Sequence, residues 1–280
     1  MDAAHDPFHA PTAGQAQADL DDYHDFLVRR DGQVDREART LSAREAFFDH
    51  LPACRWQGIL DRDSFYRNLG RRPESGLSPE ILWLLAAAKA NQAERYAVEL
   101  ELAGDAPVTA RPQDPFVLIE EVYHTRILHD VCSLFDLPFE PLPPSPFTRA
   151  FIHVITGIPD RWRLPLVMAG EVVGAGLFGL LRDTTERFEA EPEVQRTLEN
   201  LIEEILLDEE GHVRYCRARL GPRGLSMARR LLPCVLHSTI AGMPEFITLA
   251  GGKAALFERI RTLRVPPVAA MLSELEVHRA

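Results

Sequence analysis

Two short motifs in the sequence place a glutamate three residues before a histidine, within segments that are otherwise largely apolar. Residues three apart lie on one side of an α-helix, so each pair projects a carboxylate and an imidazole in the same direction. Both pairs interrupt a stripe of apolar residues at helical spacing, which predicts that they face the protein interior. The motifs are Glu121-Val122-Tyr123-His124 and Glu209-Glu210-Gly211-His212.

Two further glutamates have a similar setting. Glu171 is the only charged residue between Arg163 and Arg182. Glu94 shares a predicted helix face with Ala87, Asn91, Ala97 and Val98. A buried carboxylate is costly unless it is neutral, paired or bound to a metal ion. Four carboxylates and two neutral imidazoles form a suitable ligand set for two adjacent divalent ions.

Each of these residues has a simpler interpretation when it is taken alone. Five of the ten histidines follow an acidic residue by three positions, so the spacing itself carries little information. His124 and His212 could be structural histidines with satisfied hydrogen bonds. Glu171 could pair with an arginine from the N-terminal region, and Glu94 could be a solvated helix charge. Glu99 and Glu101 are alternatives to Glu94 on the same helix.

Capping signals predict the helices that position these residues. Ser78-Pro79-Glu80 is typical of a helix start, with Ser as the N-cap and Pro at the first helical position. The proline-rich stretch 137–146 cannot be helical and is long enough to run along a helix bundle. No alternating strand pattern of useful length appears, so the predicted class is all-α. The predicted helices extend over 79–103, 114–135, 163–186 and 192–220, with shorter ones over 147–155, 225–242, 254–263 and 268–278.

Over residues 78–218 the order Glu, Glu-x-x-His, Glu, Glu-x-x-His resembles the ferritin-like di-iron carboxylate superfamily. This resemblance implies a ferritin-like four-helix bundle, here with extra N-terminal and C-terminal helices. It also implies two bound Fe ions, although the ligand set equally admits Mn or a mixed Mn/Fe pair. Glu121 or Glu209 would bridge the two metals. The implied ligands are Glu94, Glu121, His124, Glu171, Glu209 and His212.

The resemblance also assigns roles to the acids that precede two of these glutamates. Asp208 would accept a hydrogen bond from His124, and Glu120 would accept one from His212. Such bonds fix the tautomer of a ligand histidine and raise its basicity. Tyr96 and Tyr123 could be redox-active near the metals or could simply pack beside them. Related amine N-oxygenases carry a further ligand histidine where this chain has Ile205, which argues against that branch.

The function implied by the resemblance is a non-haem di-iron oxygenase or oxidase. Such an enzyme activates O2 to oxidise a small organic substrate and draws on an electron donor. A ferroxidase or iron-storage protein of the same fold is the main alternative, and a metal-free helical interaction protein is another. The segments 1–77 and 219–280 beyond the bundle favour an enclosed substrate channel over a storage cage. A homodimer is plausible.

Composition limits the remaining possibilities. The 280 residues include 31 Lys and Arg against 42 Asp and Glu, a formal net charge of -11. Such a charge disfavours an extended surface for nucleic acid or an anionic membrane. The four cysteines form no CxxC pair and the N-terminus lacks a signal-peptide pattern, so we expect a cytoplasmic protein. The apolar stretch 164–181 contains Glu171, which favours a core helix over a membrane anchor.

The expected organisation is a mobile tail over residues 1–20 followed by one helical domain over 21–280. Residues 1–20 are rich in Ala, Pro, Asp and Gln and offer little to bury. Within the domain, the bundle over 78–218 would be flanked by helices over 21–77 and 219–280.

Overall fold

A computed structural model describes residues 4–51, 53–103, 111–140, 146–268 and 270–271. These residues form an all-α structure with two very short strands, as the sequence predicts. The elements are α1 (Ala13–Asp31), β1 (Val34–Asp35), β2 (Thr40–Leu41), α2 (Ser42–Asp49), α3 (Arg62–Leu69), α4 (Pro79–Ala103), α5 (Asp114–Ser133), α6 (Pro146–Gly157), α7 (Asp160–Asp183), a 3₁₀ turn (Thr185–Phe188), α8 (Pro192–Arg219), α9 (Pro222–Gly242), α10 (Glu245–Leu249) and α11 (Lys253–Arg261).

Four long helices form the centre of the molecule. Helix α4 packs against α5, α7 packs against α8, and α5 also contacts α8. The buried indole N–H of Trp83 on α4 donates a hydrogen bond of 2.9 Å to the Leu181 carbonyl on α7. Helix α1 lies against α8, and α9 lies against α7. The N-terminal and C-terminal segments therefore cover the central helices, and the apolar core is continuous across them.

The predicted helix starts agree closely with the structure because they depend on local capping chemistry. The Ser78 hydroxyl accepts a hydrogen bond of 3.3 Å from the Ile81 N–H at the start of α4. Pro115 is the second residue of α5, and Pro192 is the first residue of α8. The helix expected over 163–186 instead begins at Asp160, after Pro159, and ends at Asp183. The C-terminal helix expected over 268–278 lies mostly outside the described residues.

The N-terminal segment is more structured than the sequence suggests. Residues 13–20, expected to belong to a mobile tail, form the first two turns of α1. Thr12 and Gln15 cap this helix reciprocally, and Leu20 is buried. Asp19 forms ion pairs of 3.1 and 2.9 Å with Arg214 and Arg217 of α8. The polar composition of this segment reflects ion pairing with α8, and composition alone cannot distinguish that from solvation.

Helix α7 explains the apolar stretch around Glu171. Residues Arg161–Phe188 form the one helical stretch of the described chain that is long and apolar enough to cross a membrane, with a mean hydropathy of 1.8. In this structure 67% of that apolar window is buried inside the protein. Its neighbours α8 and α9 supply the apolar contacts that this sequence requires.

Candidate metal centre

The six residues that the sequence singles out as ligands come from four different helices and converge in one cluster. Glu94 comes from α4, Glu121 and His124 from α5, Glu171 from α7, and Glu209 and His212 from α8. The two imidazole rings are 5.9 Å apart between centroids, and both are almost completely buried. The sequence pattern therefore predicted which side chains meet, although they are far apart along the chain.

Glu121 occupies the middle of the cluster. Its Oε2 lies 3.4 Å from Nδ1 of His124, and its Oε1 lies 3.2 Å from Nδ1 of His212. The Oε2 atom of Glu171 lies 3.3 Å from the same His212 nitrogen. Glu209 stands on the opposite side, with Oε1 3.7 Å from Nδ1 of His124. Of the two candidate bridging carboxylates, Glu121 is the one that faces both histidines at short distance.

Two groups of side chains have the geometry to hold a cation, and they share Glu121. One group contains Glu94, Glu121 and His124, and the other contains Glu121, Glu171 and His212. In each group the potential ligand atoms lie within 4.8 Å of one another. Two imidazole nitrogens and carboxylate oxygens are donors that suit divalent first-row transition metals.

The histidines are held so that one ring nitrogen of each faces the cluster. Nε2 of His124 lies 3.2 Å from Oδ2 of Asp208, and Nε2 of His212 lies 2.9 Å from Oε2 of Glu120. These contacts pair the same residues that the family resemblance pairs. With Nε2–H donated to a carboxylate, the lone pair of Nδ1 points into the cluster.

Both Nδ1 atoms are buried and have no hydrogen-bond partner among the described residues. Buried polar atoms are nearly always satisfied, so an unsatisfied pair facing a carboxylate cluster needs an explanation. A cation bound between the nitrogens and the carboxylates would supply the missing interaction for both. The donor set therefore fits a pair of metal ions.

The carboxylates of the cluster lack positive partners of their own. Glu94, Glu121, Glu171 and Glu209 form no ion pair with Arg or Lys within the described ranges, and their charged neighbours there are the two histidines. Burial and the Glu121 carboxylate raise the pKa of Glu94 well above its ordinary value. Burial and the Glu171 carboxylate do the same to the pKa of Glu209. Four carboxylates this close cannot all ionise unless cations join them.

Glu121 differs from its neighbours in this respect. Burial alone would raise its pKa, but His124 and His212 in their protonated form outweigh burial and hold the pKa of Glu121 below its ordinary value. The central carboxylate is therefore the one best prepared to be charged before any cation binds.

A buried network of arginines surrounds the outer side of the cluster, and sequence reasoning missed it. Arg30 of α1 and Arg44 of α2 are both completely buried. Both form ion pairs with Asp208, and both also pair with Glu204, one helical turn earlier on α8. Burial alone would raise the pKa of Asp208, but the two guanidinium groups hold it well below its ordinary value.

This network argues against the alternative interpretation of Glu171 as the partner of an N-terminal arginine. The two buried arginines of that region pair with Asp208 and Glu204, whereas Glu171 faces His212. A sequence signal for the network did exist. Arg30 follows Phe26 and Leu27 by four and three residues and therefore continues the buried face of α1.

The small residues of α7 have different roles along the helix. A Cβ atom at Gly174 would overlap the carboxylate of Glu209, so any larger residue there would displace that side chain. A Cβ at Gly179 would crowd the Arg259 guanidinium. At Gly170, next to Glu171, a Cβ would meet no other atom within 4 Å, so this position borders open space. The side chains of Glu171 and Glu121 retain exposures of 16% and 20%, so the cluster is not completely closed to solvent.

The two tyrosines suggested as redox-active lie at the edges of the site. The Tyr123 hydroxyl donates to Glu45 and accepts a hydrogen bond of 3.0 Å from the Leu41 N–H, so its ring packs between α5 and α2. The Tyr96 hydroxyl contacts Nε2 of His153 on α6 at 3.0 Å.

A third tyrosine, Tyr23, was not singled out from the sequence. Tyr23 is completely buried, its hydroxyl has no partner among the described residues, and its ring fills the space beside Gly211.

Comparisons of this chain with protein-family models, with curated proteins and with solved structures found no match.

Proposed function

We propose that this chain is a non-haem di-iron oxygenase or oxidase built on a ferritin-like helical bundle. The observation that carries the proposal is the pair of buried, unpartnered Nδ1 atoms of His124 and His212, which face a carboxylate shared by two potential cation sites. Four carboxylates and two neutral imidazoles balance two divalent cations in charge. We propose that both ions are iron. Two manganese ions or a mixed Mn/Fe pair would suit the same ligands.

A pair of Fe(II) ions, when bound, supplies the capacity to activate O2, which no side chain of the protein can provide. Glu94, Glu121 and His124 would hold one ion, and Glu121, Glu171 and His212 would hold the other. Glu209 stands beside His124 and would complete the coordination on that side. Asp208 and Glu120 hold the imidazoles in the orientation that binding requires.

The residues around the cluster also support a substrate site. Glu121 and Glu171 are partly exposed on the side where Gly170 borders open space, whereas the histidines are buried. A small organic molecule could therefore approach from the α7 side while the outer side stays closed by the arginine network. An iron pair held by these residues would draw on an external electron donor.

The proposal is tested by loading the full chain with Fe(II) without oxygen and then exposing it to air. We expect two tightly bound irons per chain by elemental analysis and a change in the Mössbauer spectrum on oxygenation. Many more than two irons per chain would favour an iron-storage protein of the same fold. A folded protein that binds none would favour a metal-free interaction protein and would refute the oxygenase.

A further inference from the structure

A second concave region lies where α3, α4, α6, α9 and α11 approach one another. It is a pocket of about 680 Å³. Its α4 residues, Lys89 and Gln92, are five and two positions before Glu94, so at about 100° per residue they lie on the side of the helix away from the metal centre. Among the described residues, five cationic residues and no acidic residue line it. The cationic residues are Arg71, Arg72, Lys89, Arg149 and Lys253.

Most of this positive charge is not neutralised by the protein. Lys89 is 5% exposed and forms an ion pair with the buried carboxylate of Glu245. The other four cations form no ion pair with any carboxylate in the described part of the chain. Within the described residues, four cations without a carboxylate partner therefore border one pocket of a chain whose formal net charge is -11. Arg71, Arg72 and Lys253 are exposed and Arg149 is partly buried, so a bound anion can contact them and would relieve their mutual repulsion.

One buried residue of the pocket wall, Gln92, contains an unsatisfied donor. Gln92 is 6% exposed, and its Nε2 atom is buried without a hydrogen-bond partner among the described residues. A buried amide donor without an acceptor costs about 1–3 kcal/mol, so native structures rarely leave one. An oxygen-bearing ligand in the pocket would satisfy it.

Two helices also begin at the pocket. Pro146 and Lys253 are the first residues of α6 and α11, and both are lining residues. The unpaired N–H groups and the dipole at a helix start favour an anion. Their contribution adds to that of the four unpaired cations and of Gln92.

We propose that this pocket binds the phosphate groups of a small polyanionic molecule, of the di- or triphosphate class. Four uncompensated cations match the charge of about -3 to -4 that such a group carries, and arginine forks suit phosphate oxygens. The volume lies within the range of small-molecule sites. A flat protein surface could not reach Lys89 and Gln92, which are both at least 94% buried. A long nucleic acid would be repelled by the acidic remainder of the chain.

The test is calorimetric titration of the full chain with pyrophosphate and, separately, with ATP at one fixed salt concentration. We expect one-to-one binding of both probes. Arg149→Glu should weaken the binding by roughly 10- to 100-fold, the loss expected for one charge-assisted contact. Gln92→Leu keeps the charge and removes the unsatisfied donor, and it should weaken binding by roughly 5- to 10-fold.

The matched control is Arg223→Glu, which makes the same charge change on an exposed residue of α9. Position 223 is about 21 Å along that helix from the pocket residue His237. The control should leave affinity within about twofold. Absence of binding by both probes at millimolar concentration would overturn the proposal, as would equal losses in Arg149→Glu and Arg223→Glu. Metal content should be unchanged in all three variants, so this result is independent of the metal centre.

Discussion

Two layers of buried acids meet along α8, and they differ in how their charge is balanced. The outer layer contains Asp31, Glu204 and Asp208, and Arg30 and Arg44 form ion pairs with all three. The inner layer contains Glu94, Glu121, Glu171 and Glu209, and its charged contacts in the described structure are with two histidines whose Nδ1 atoms have no partner.

The two layers of acids differ in the counter-charges that the chain provides for them. The chain supplies guanidinium groups to the fully buried outer layer and none to the inner layer within the described residues, where Glu121 and Glu171 retain exposures of 20% and 16%. Buried carboxylates without counter-charges are strongly unfavourable, so the inner layer is incomplete as it stands. Divalent cations would complete it, and the arginine layer would then hold His124 in place through Asp208.

The largest effect should come from removing an inner-layer nitrogen. His212→Ala should abolish binding of at least one metal ion per chain, because His212 is the only imidazole in its group of potential ligands. Elemental analysis after anaerobic iron loading measures this. The control is His129→Ala, which removes a 48% exposed histidine from α5 and should retain full metal content. Full metal content in His212→Ala would contradict its role.

Breaking the outer layer should instead reduce stability. Arg44→Met leaves Asp208 and Glu204 with one guanidinium fewer, and loss of one partner from a buried pair costs about 3–5 kcal/mol. Denaturant unfolding measures the change in the free energy of unfolding. Arg62→Met breaks an ion pair whose two side chains are 53% and 65% exposed, and it should cost less than about 1 kcal/mol. Similar losses in both variants would mean that the buried network contributes no more to stability than an exposed ion pair.

The ligand cluster and the arginine network differ in how far the sequence predicted them. The helix starts at Pro79, Asp114 and Pro192 have local signals, and the stripes around the Glu-x-x-His motifs identified which helix faces meet. The arginine layer has partners on α1, α2 and α8, about 160–180 positions apart, and no periodicity connects them. The cations of the second pocket are likewise distributed over several segments, so only the folded chain brings them together.

Asp208 connects the two layers, because it pairs with both arginines and accepts a hydrogen bond from His124. An asparagine at this position would have nearly the same volume without the charge. Asp208→Asn removes the charge that two buried guanidinium groups share, so it should lower the free energy of unfolding. In protein that is still folded it should weaken metal binding by roughly 10- to 100-fold, because an amide supports the His124 tautomer less well than a carboxylate. Competition with a metal-sensitive dye measures the affinity. Unchanged affinity would show that the hydrogen bond from His124 does not tune the site.

A smaller effect is expected from crowding Glu209. Gly174→Ala places a methyl group against that carboxylate and should displace it, which would weaken metal binding by about tenfold or less, equivalent to about 1 kcal/mol of overpacking. Gly170→Ala adds the same methyl group one turn earlier, where nothing lies within 4 Å, and should leave the affinity unchanged. Equal affinities in the two variants would show that Glu209 does not contribute to the metal site.

The most direct measurement is a crystal structure of iron-loaded protein with anomalous data collected at the iron absorption edge. We expect two peaks, one among Glu94, Glu121 and His124 and the other among Glu121, Glu171 and His212, with Glu121 in contact with both. A map without peaks at these positions, in crystals whose buried histidines keep the same partners, would contradict the proposed metal centre.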